Sequence, residues 1–234
     1  MKRQPTERLR ADAASDGHTL FVWRHPRPEG AKGLCVGAGC DLPVSTRRAK
    51  RLARRIQAHA RRHQLPHEIW TSGLRRCAEV GRWLRRWGWR HHIDAALREL
   101  DFGRWDGRPW AEISKAEIDT WVQDFATATP GGGESLVALL ARASSWTGGQ
   151  LVVSHGGWML ARRWMAEHPG QTPSADQWPA PPAYGACWAL PSARSIAAAA
   201  GATFRPQSQG GPSGAQSAQS GAQSGAASSA VSGP

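Results

Sequence analysis

The stretch Leu151–Gly157 has the sequence LVVSHGG, a short apolar run that ends in a polar, glycine-containing turn. An apolar run of this length, stopped by glycines, is typical of a β-strand that ends at a loop. The residues that follow, from Trp158 to Glu167, predict a helix. A strand, a short turn and a helix in this order form the repeating unit of parallel α/β sheets.

Further strands and helices alternate before this unit, and one strand follows it. Short apolar runs predict strands at residues 20–23 and 68–71 and a last strand near residues 187–190. Apolar residues at helical spacing predict helices in the other segments: 46–63, 77–87, 109–125 and 136–143. The alternation predicts an α/β fold with three layers, α/β/α, around a mostly parallel central sheet. In such sheets, ligands bind beyond the carboxyl ends of the strands.

The 234 residues fit one domain of ordinary size with tails. The first residues are polar and lack the apolar core of a secretory signal. Beyond residue 205 the chain holds only Gln, Ser, Gly, Pro, Ala and one Val, too little apolar surface to offset the entropy of ordering. We therefore predict a disordered segment over 1–17, a folded domain over 18–200 and a disordered tail over 201–234. No apolar run approaches the roughly 18 residues of a membrane span, so we expect a cytoplasmic protein without membrane contacts.

Positive charge is concentrated in two segments. The net charge is +12, and residues 47–62 hold eight basic residues and no acidic one. Residues 75–90 hold six arginines against one glutamate. A charge this concentrated indicates an anionic partner, either nucleic acid or a phosphorylated small molecule. Solvated helix faces in an arginine-biased composition explain the same pattern, so charge alone leaves both interpretations open.

The four cysteines, at positions 35, 40, 77 and 187, lack C-x-x-C spacing. They therefore predict neither a zinc site nor a disulfide scaffold, and no histidine spacing indicates a metal ligand set. We expect a protein that uses no metal and no cofactor.

Polar residues suited to one reaction follow the predicted strands. Arg24 and His25 follow the first strand, the second leads into Arg76, and His155 follows the strand at 151–154. Glu99 lies in a further polar cluster. If the carboxyl ends converge, guanidinium groups can neutralise phosphate oxygens, an imidazole can attack phosphorus and a carboxylic acid can protonate the leaving oxygen. This set of side chains suits phosphoryl transfer without a metal.

Five short motifs in this order resemble the histidine phosphatase (phosphoglycerate mutase-like) superfamily. The resemblance spans about residues 20–165, and the motifs are these: RHP at 24–26, TSGLRR at 71–76, LRE at 97–99 with FGRWDG at 102–107, GGES at 132–135 and VSHG at 153–156. Each motif alone is unspecific, but their joint order and spacing are specific. The resemblance implies a phosphoglycerate mutase-like fold, in agreement with the layers predicted above.

The resemblance also implies a role for each matching residue. His25 would be the nucleophile that forms a phosphohistidine, and Arg24, Arg76 and His155 would bind the phosphate, with His155 also counted among the catalytic groups. Glu99 would donate a proton to the leaving group and later activate water. Asp101 and Asp106 compete with Glu99 for this role, and Arg75 is expected to be a solvated helix residue. We expect Glu134 to bond to backbone near the start of a helix.

The sequence departs from the family pattern after the nucleophile. Pro26 replaces the usual glycine, and residues 27–29 replace the threonine and asparagine that commonly follow. Arg27 is our candidate for the missing phosphate donor. In the second motif, Gly73 replaces a proline and Val80 a threonine.

A subfamily signal follows the first motif. The sequences G-x-C-x-G at 33–37 and D-x-P at 41–43 resemble the α-ribazole-5′-phosphate phosphatase branch of cobalamin synthesis. We therefore expect a phosphomonoesterase that acts on a small phosphorylated metabolite and binds no specific nucleic acid. Two alternatives remain: a phosphoglycerate mutase-type transferase, and a non-enzymatic binder of nucleic acid or phospho-ligands.

Overall fold

Five strands form one sheet in the computed structural model, which describes residues 19–203. The predicted disordered segment 1–17 lies outside the described residues, as does the predicted tail from residue 204 onward. The last helix ends at Thr203, three residues beyond the predicted domain boundary. In this part of the chain, no helix is long and apolar enough to cross a membrane.

Four of the five strands run parallel. The strand order is β3-β2-β4-β1-β5, and only β5 is antiparallel to its neighbour, β1. The prediction of a mostly parallel sheet is therefore confirmed. The bounds of the strands are as follows: β1 Thr19–Arg24, β2 Glu68–Thr71, β3 Arg90–Ile93, β4 Leu151–Ser154 and β5 Cys187–Pro191.

Strand β3 was not predicted. Its sequence, RHHI, has no apolar run, and both of its terminal residues are exposed because it forms an edge of the sheet. It is held there by parallel pairing with β2, which the local sequence does not signal.

Within the described residues, six α-helices and four short 3₁₀ turns connect the strands. The helices are α1 Thr46–Arg62, α2 Arg75–Arg86, α3 Lys115–Gln123, α4 Leu136–Ser145, α5 Gly156–Glu167 and α6 Ala193–Thr203. The 3₁₀ turns span Ala95–Leu97, Gly103–Trp105, Trp110–Glu112 and Pro130–Gly132.

The sheet is buried on both faces. Trp23 and Val153 pack with the apolar faces of α1 and α2, whereas Val22 and Val152 pack in the cluster that contains α4 and α5. Successive residues of a strand point to opposite faces, so β1 and β4 each contribute to both cores. The three-layer α/β/α architecture is confirmed.

The helix predicted over 109–125 is broken. A 3₁₀ turn occupies Trp110–Glu112, and α3 begins only at Lys115. The Ser114 hydroxyl accepts from the backbone N–H of Glu117, and the Glu117 carboxylate accepts in turn from the backbone N–H of Ser114. This capping box satisfies backbone donors at a helix start and therefore sets a new N-terminus within the amphipathic segment.

Candidate active site

Two buried histidines meet at the carboxyl end of the sheet. His25 follows β1 and His155 follows β4, and these two strands are parallel neighbours with Arg24 opposite Ser154. The backbone N–H of His25 donates to the Ser154 carbonyl at 3.0 Å. The ring centroids of His25 and His155 are 4.9 Å apart. The strand register thus brings together two residues that are 130 positions apart in the sequence.

His25 is held as a neutral imidazole. Its Nδ1 lies 2.8 Å from the Pro26 carbonyl oxygen, which can only accept a hydrogen bond, so Nδ1 carries the proton. Burial, followed by the positive charge of Arg76, lowers the pKa of His25 well below its ordinary value of 6.5. With Nδ1 protonated, the lone pair of a neutral ring lies on Nε2. This is the form that can attack phosphorus.

His155 is fixed at both ring nitrogens. Arg76 Nε donates to its Nδ1 at 3.2 Å, and its Nε2 lies 2.7 Å from the Ser72 hydroxyl. Because Nδ1 accepts, Nε2 carries the proton of the neutral ring. Burial lowers the pKa of His155 well below 6.5, and the charge of Arg76 lowers it further. The ring therefore offers one N–H, which Ser72 accepts.

Arg76 is a fully buried cation whose hydrogen bonds go to neutral acceptors. Besides His155, its guanidinium donates to the Cys40 carbonyl at 2.6 Å and the Gly37 carbonyl at 2.8 Å. No carboxylate pairs with it among residues 19–203. A buried charge without a counter-ion is costly, so the site favours a bound anion.

Arg24 lies over the ring of Tyr184. The guanidinium carbon is 4.0 Å from the ring centroid, and Nη1 donates to the Pro182 carbonyl at 2.6 Å. Its buried Nε has no hydrogen-bond partner within the described part of the chain. Tyr184 itself is 41% exposed, and its ring centroid is 5.5 Å from that of His25.

Sequence reasoning missed Tyr184. Because β5 is antiparallel to β1, the residues before β5 lie at the edge where β1 ends, and the Gly185 N–H donates to the Arg24 carbonyl at 3.0 Å. The one available signal was compositional, since Tyr184 is the only tyrosine in the sequence.

Glu99 lies beside the histidine pair at the start of α5. Its Oε2 accepts from the backbone N–H of Gly157 at 3.1 Å, and its Oε1 accepts from that of Leu100 at 3.1 Å. A Cβ at position 157 would meet Oε1, so glycine lets this carboxylate approach the start of the helix without moving. Glu99 itself is partly buried.

An arginine on α4 holds the segment that carries Glu99. Arg142 donates to the carbonyls of Ala96 and Arg98, each at 2.9 Å, and pairs with Glu134 at 2.6 Å. Glu134 therefore acts through Arg142, and its expected bond to backbone is not the contact that its side chain makes.

The two rival acids are occupied elsewhere. Asp106 accepts from the backbone N–H groups of Gly37 and Gly39, the latter at 2.7 Å, and Asp101 accepts from Gly103 at 2.8 Å. The bonds of Asp106 tie down the loop whose carbonyls hold Arg76. Glu99 accepts backbone bonds as well, but its bond to Gly157 lies only two residues from His155, so position favours Glu99 as the acid.

The predicted site residues fall into two groups. Arg24, His25, Arg76, Glu99 and His155 lie together at the end of the sheet. By contrast, Arg27 is exposed, and its carbonyl accepts from Arg48 on α1 at 3.4 Å. Arg75, next to Arg76, is exposed as expected.

We expect acid to destabilise the fold because the two buried histidines of the active site have lower pKa values in the folded than in the unfolded chain. His25 and His155 stay neutral in the folded state below pH 6.5, whereas the unfolded chain binds protons there. Stability is therefore complete above pH 6.5 and is lost as the pH falls below that value. Between pH 7.5 and 5.5 the free energy of unfolding should fall by about 1.4 kcal/mol for each of the two. Urea unfolding at both pH values measures this change.

The matched variants are His155→Gln and His67→Gln, the latter at an exposed position. His155→Gln should flatten the pH dependence, while His67→Gln should preserve it. His59 and His91, whose pKa values burial lowers to about 4, add to the same trend in all variants. An equal slope in both variants would show that His155 does not cause the loss.

Comparison with known proteins identifies the family to which the chain belongs. A sequence model of the histidine phosphatase superfamily (branch 1) matches residues 20–180. A search of curated protein sequences finds no match. Among solved structures, a complex of a mycobacterial glucosyl-3-phosphoglycerate phosphatase is 24% identical, with a TM-score of 0.58, over 74% of this chain and 90% of that chain.

Two further structures are similar. The native form of the mycobacterial phosphatase is 26% identical, with a TM-score of 0.53, over 65% of this chain and 81% of its own. A protein of Thermus thermophilus is 25% identical, with a TM-score of 0.50, over 67% of this chain and 89% of its own. The family match covers more than half of the chain and every predicted site residue. The chain therefore belongs to the histidine phosphatase superfamily, branch 1.

Proposed function

We propose that this protein is a phosphomonoesterase that works through a phosphohistidine on His25. The observation that carries this proposal is the arrangement of His25: a buried neutral imidazole, with its lone pair on Nε2, beside the uncompensated cation Arg76. A binder of phospho-ligands needs the cation but not a nucleophile paired with an acid.

The reaction proceeds in two displacements. Nε2 of His25 attacks phosphorus, the bond from phosphorus to the ester oxygen breaks, and Glu99 gives its proton to that oxygen. The Glu99 carboxylate then takes a proton from water, the resulting hydroxide attacks phosphorus, and the P–N bond breaks to release phosphate. Arg24 and Arg76 offset the charge of the phosphoryl oxygens in both steps.

The substrate is a small phosphorylated metabolite, for which two candidates stand. The loop at 33–37 suggests α-ribazole 5′-phosphate, and the similar mycobacterial enzymes are phosphatases of glucosyl-3-phosphoglycerate. Part of the loop signal has a structural cause: a Cβ at Gly37 would lie 2.4 Å from the Leu100 carbonyl oxygen, and Asp106 binds the Gly37 N–H. The glycine is thus required by packing around Arg76 whatever the substrate. A cytoplasmic location remains a prediction.

A panel of phosphate esters assayed with EDTA tests the proposal. The panel includes both candidates and 3-phosphoglycerate, and it measures both released phosphate and phosphate transferred to acceptors. We expect phosphate release that the chelator does not change. Transfer without release would support a mutase-type enzyme instead, and loss of activity with EDTA would contradict the mechanism.

We expect Arg76→Gln to lower kcat/KM for p-nitrophenyl phosphate about 10²- to 10³-fold, since it removes a preorganised cation from a dry site. Arg75→Gln is the matched control: it removes the same charge from the neighbouring, exposed position. Because Arg76 also holds the carbonyls of residues 37 and 40, thermal unfolding should confirm that the variant folds. Equal effects of the two substitutions would refute the assignment of the phosphate-binding arginine.

A further inference from the structure

Two adjoining clefts lie along α1, next to the active site. The larger has a volume of about 740 Å³ and the smaller of about 300 Å³. Arg27, Arg48 and Arg51 line both clefts, so the two form one continuous surface, which we call the basic groove.

The smaller cleft lies next to the nucleophile. It is lined by Pro26, the residue directly after His25, and by Tyr184, whose ring is 5.5 Å from that of His25. Arg55 also lines it and donates to the Gly185 carbonyl at 2.9 Å. A substrate whose phosphate reaches His25 therefore has the groove beside it.

The groove is strongly cationic. The larger cleft is lined by five cationic side chains and one carboxylate, that of Glu29. In the part of the chain that the structure describes, none of the five forms an ion pair. The five are Arg27, Lys32, Arg47, Arg48 and Arg51. Like charges this close repel one another, and a bound anion would relieve the repulsion.

We infer that the basic groove binds a second phosphate group of the substrate. The preferred substrates are then small phosphomonoesters that carry another phosphate, with the reacting phosphate at His25 and the second one on the arginines of α1. Guanidinium groups suit this role because they bind phosphate oxygens in a bidentate manner. The inference rests on the proposed function in one respect only, namely that the phosphate at His25 is the one that reacts.

The shape of the groove favours a small molecule over nucleic acid. The cleft volumes fall in the range of small-ligand sites, about 300–1,000 Å³. The groove also adjoins Pro26, and the neighbouring His25 is only 4% exposed, so a duplex could not approach it. Arg27, which lies outside the histidine pair, acquires a role here as a ligand of the second phosphate.

Calorimetric titration of the full chain with alkane phosphonates tests this inference without turnover. A series of bisphosphonates of increasing chain length is compared with the monophosphonates of the same length, at about 150 mM salt to screen non-specific attraction. We expect the best bisphosphonate to bind at least about tenfold more tightly than its monophosphonate. An optimum in chain length would report the spacing of the two phosphate sites.

Two double variants distinguish binding in the groove from a general attraction to the positive charge of α1. Arg48→Gln/Arg51→Gln should reduce the preference for the bisphosphonate to about twofold or less. Arg54→Gln/Arg61→Gln removes the same charge from exposed positions of α1 that line neither cleft, and it should preserve the preference.

Three results would overturn the inference: no preference in the natural sequence, an equal loss in both double variants, or displacement of the bisphosphonate by duplex DNA at lower concentration. Because binding is read directly, the two proposals fail separately. A protein that prefers bisphosphonates but hydrolyses no ester contradicts the phosphatase function alone. An active phosphatase without the preference contradicts the groove alone.

Discussion

His25→Ala is expected to abolish turnover, with a loss of at least about 10⁴-fold in kcat for any phosphomonoester that the protein hydrolyses. The reason is that the first displacement needs an acceptor for the phosphoryl group, and the neighbouring candidates are occupied. His155 has its Nδ1 lone pair in a bond from Arg76. The Ser154 hydroxyl donates to the Leu97 carbonyl at 2.8 Å and is fully buried.

Trapping the intermediate measures this directly. The enzyme is mixed with substrate and quenched without acid, because phosphohistidine is acid-labile. Its peptides are then analysed for added phosphate. The adduct should lie on the peptide that contains His25 and be absent from His25→Ala, whose folding is checked by circular dichroism. Retained activity of that variant, or an adduct on Ser154, would rule out the proposed nucleophile.

The residues at the strand ends could be predicted from the sequence because local pattern and sheet geometry agree there. An apolar run marks each of β1 and β4, and parallel pairing puts the residues that follow, His25 and His155, at one edge. Arg76 could be distinguished from Arg75 by motif register, and its burial agrees with that choice. The fold class and, by resemblance of the motifs, the superfamily could therefore be predicted from the sequence, whereas the convergence of these residues depended on a strand pairing that only the structure supplies.

Other parts of the site depend on contacts between distant segments, which no local pattern encodes. Tyr184 reaches His25 only because β5 reverses direction beside β1. The pair of Arg142 and Glu134 holds the Glu99 segment across 43 residues of sequence. The eight basic residues of 47–62 were visible, but only the structure shows which of them share a cleft with Arg27.

The choice of Glu99 as the acid leads to the second large effect. An alkyl phosphate leaves as an alkoxide, a strong base that needs a proton in the transition state, whereas p-nitrophenolate is a weak base that needs little. Glu99→Gln should therefore lower kcat for an alkyl ester about 10²- to 10⁴-fold and lower it far less for p-nitrophenyl phosphate. Glutamine keeps the size of the side chain and an oxygen that can accept from Gly157, and it gives up only the bond from the Leu100 N–H, so the side chain stays near its position while the proton is lost.

The ratio of the two rate losses distinguishes an acid from a positioning residue. Glu134→Gln is the matched control, since it weakens the pair with Arg142 that holds the Glu99 segment and so displaces the Glu99 carboxyl without changing its chemistry. A displaced carboxyl should slow the hydrolysis of both esters, because its geometry is poorer in both steps. The ratio of the two rate losses should therefore be closer to one than the ratio that Glu99→Gln gives. If Glu99→Gln slows both esters equally, Glu99 only positions the site. Asp101 and Asp106 are then the next acids to test by the same comparison of leaving groups.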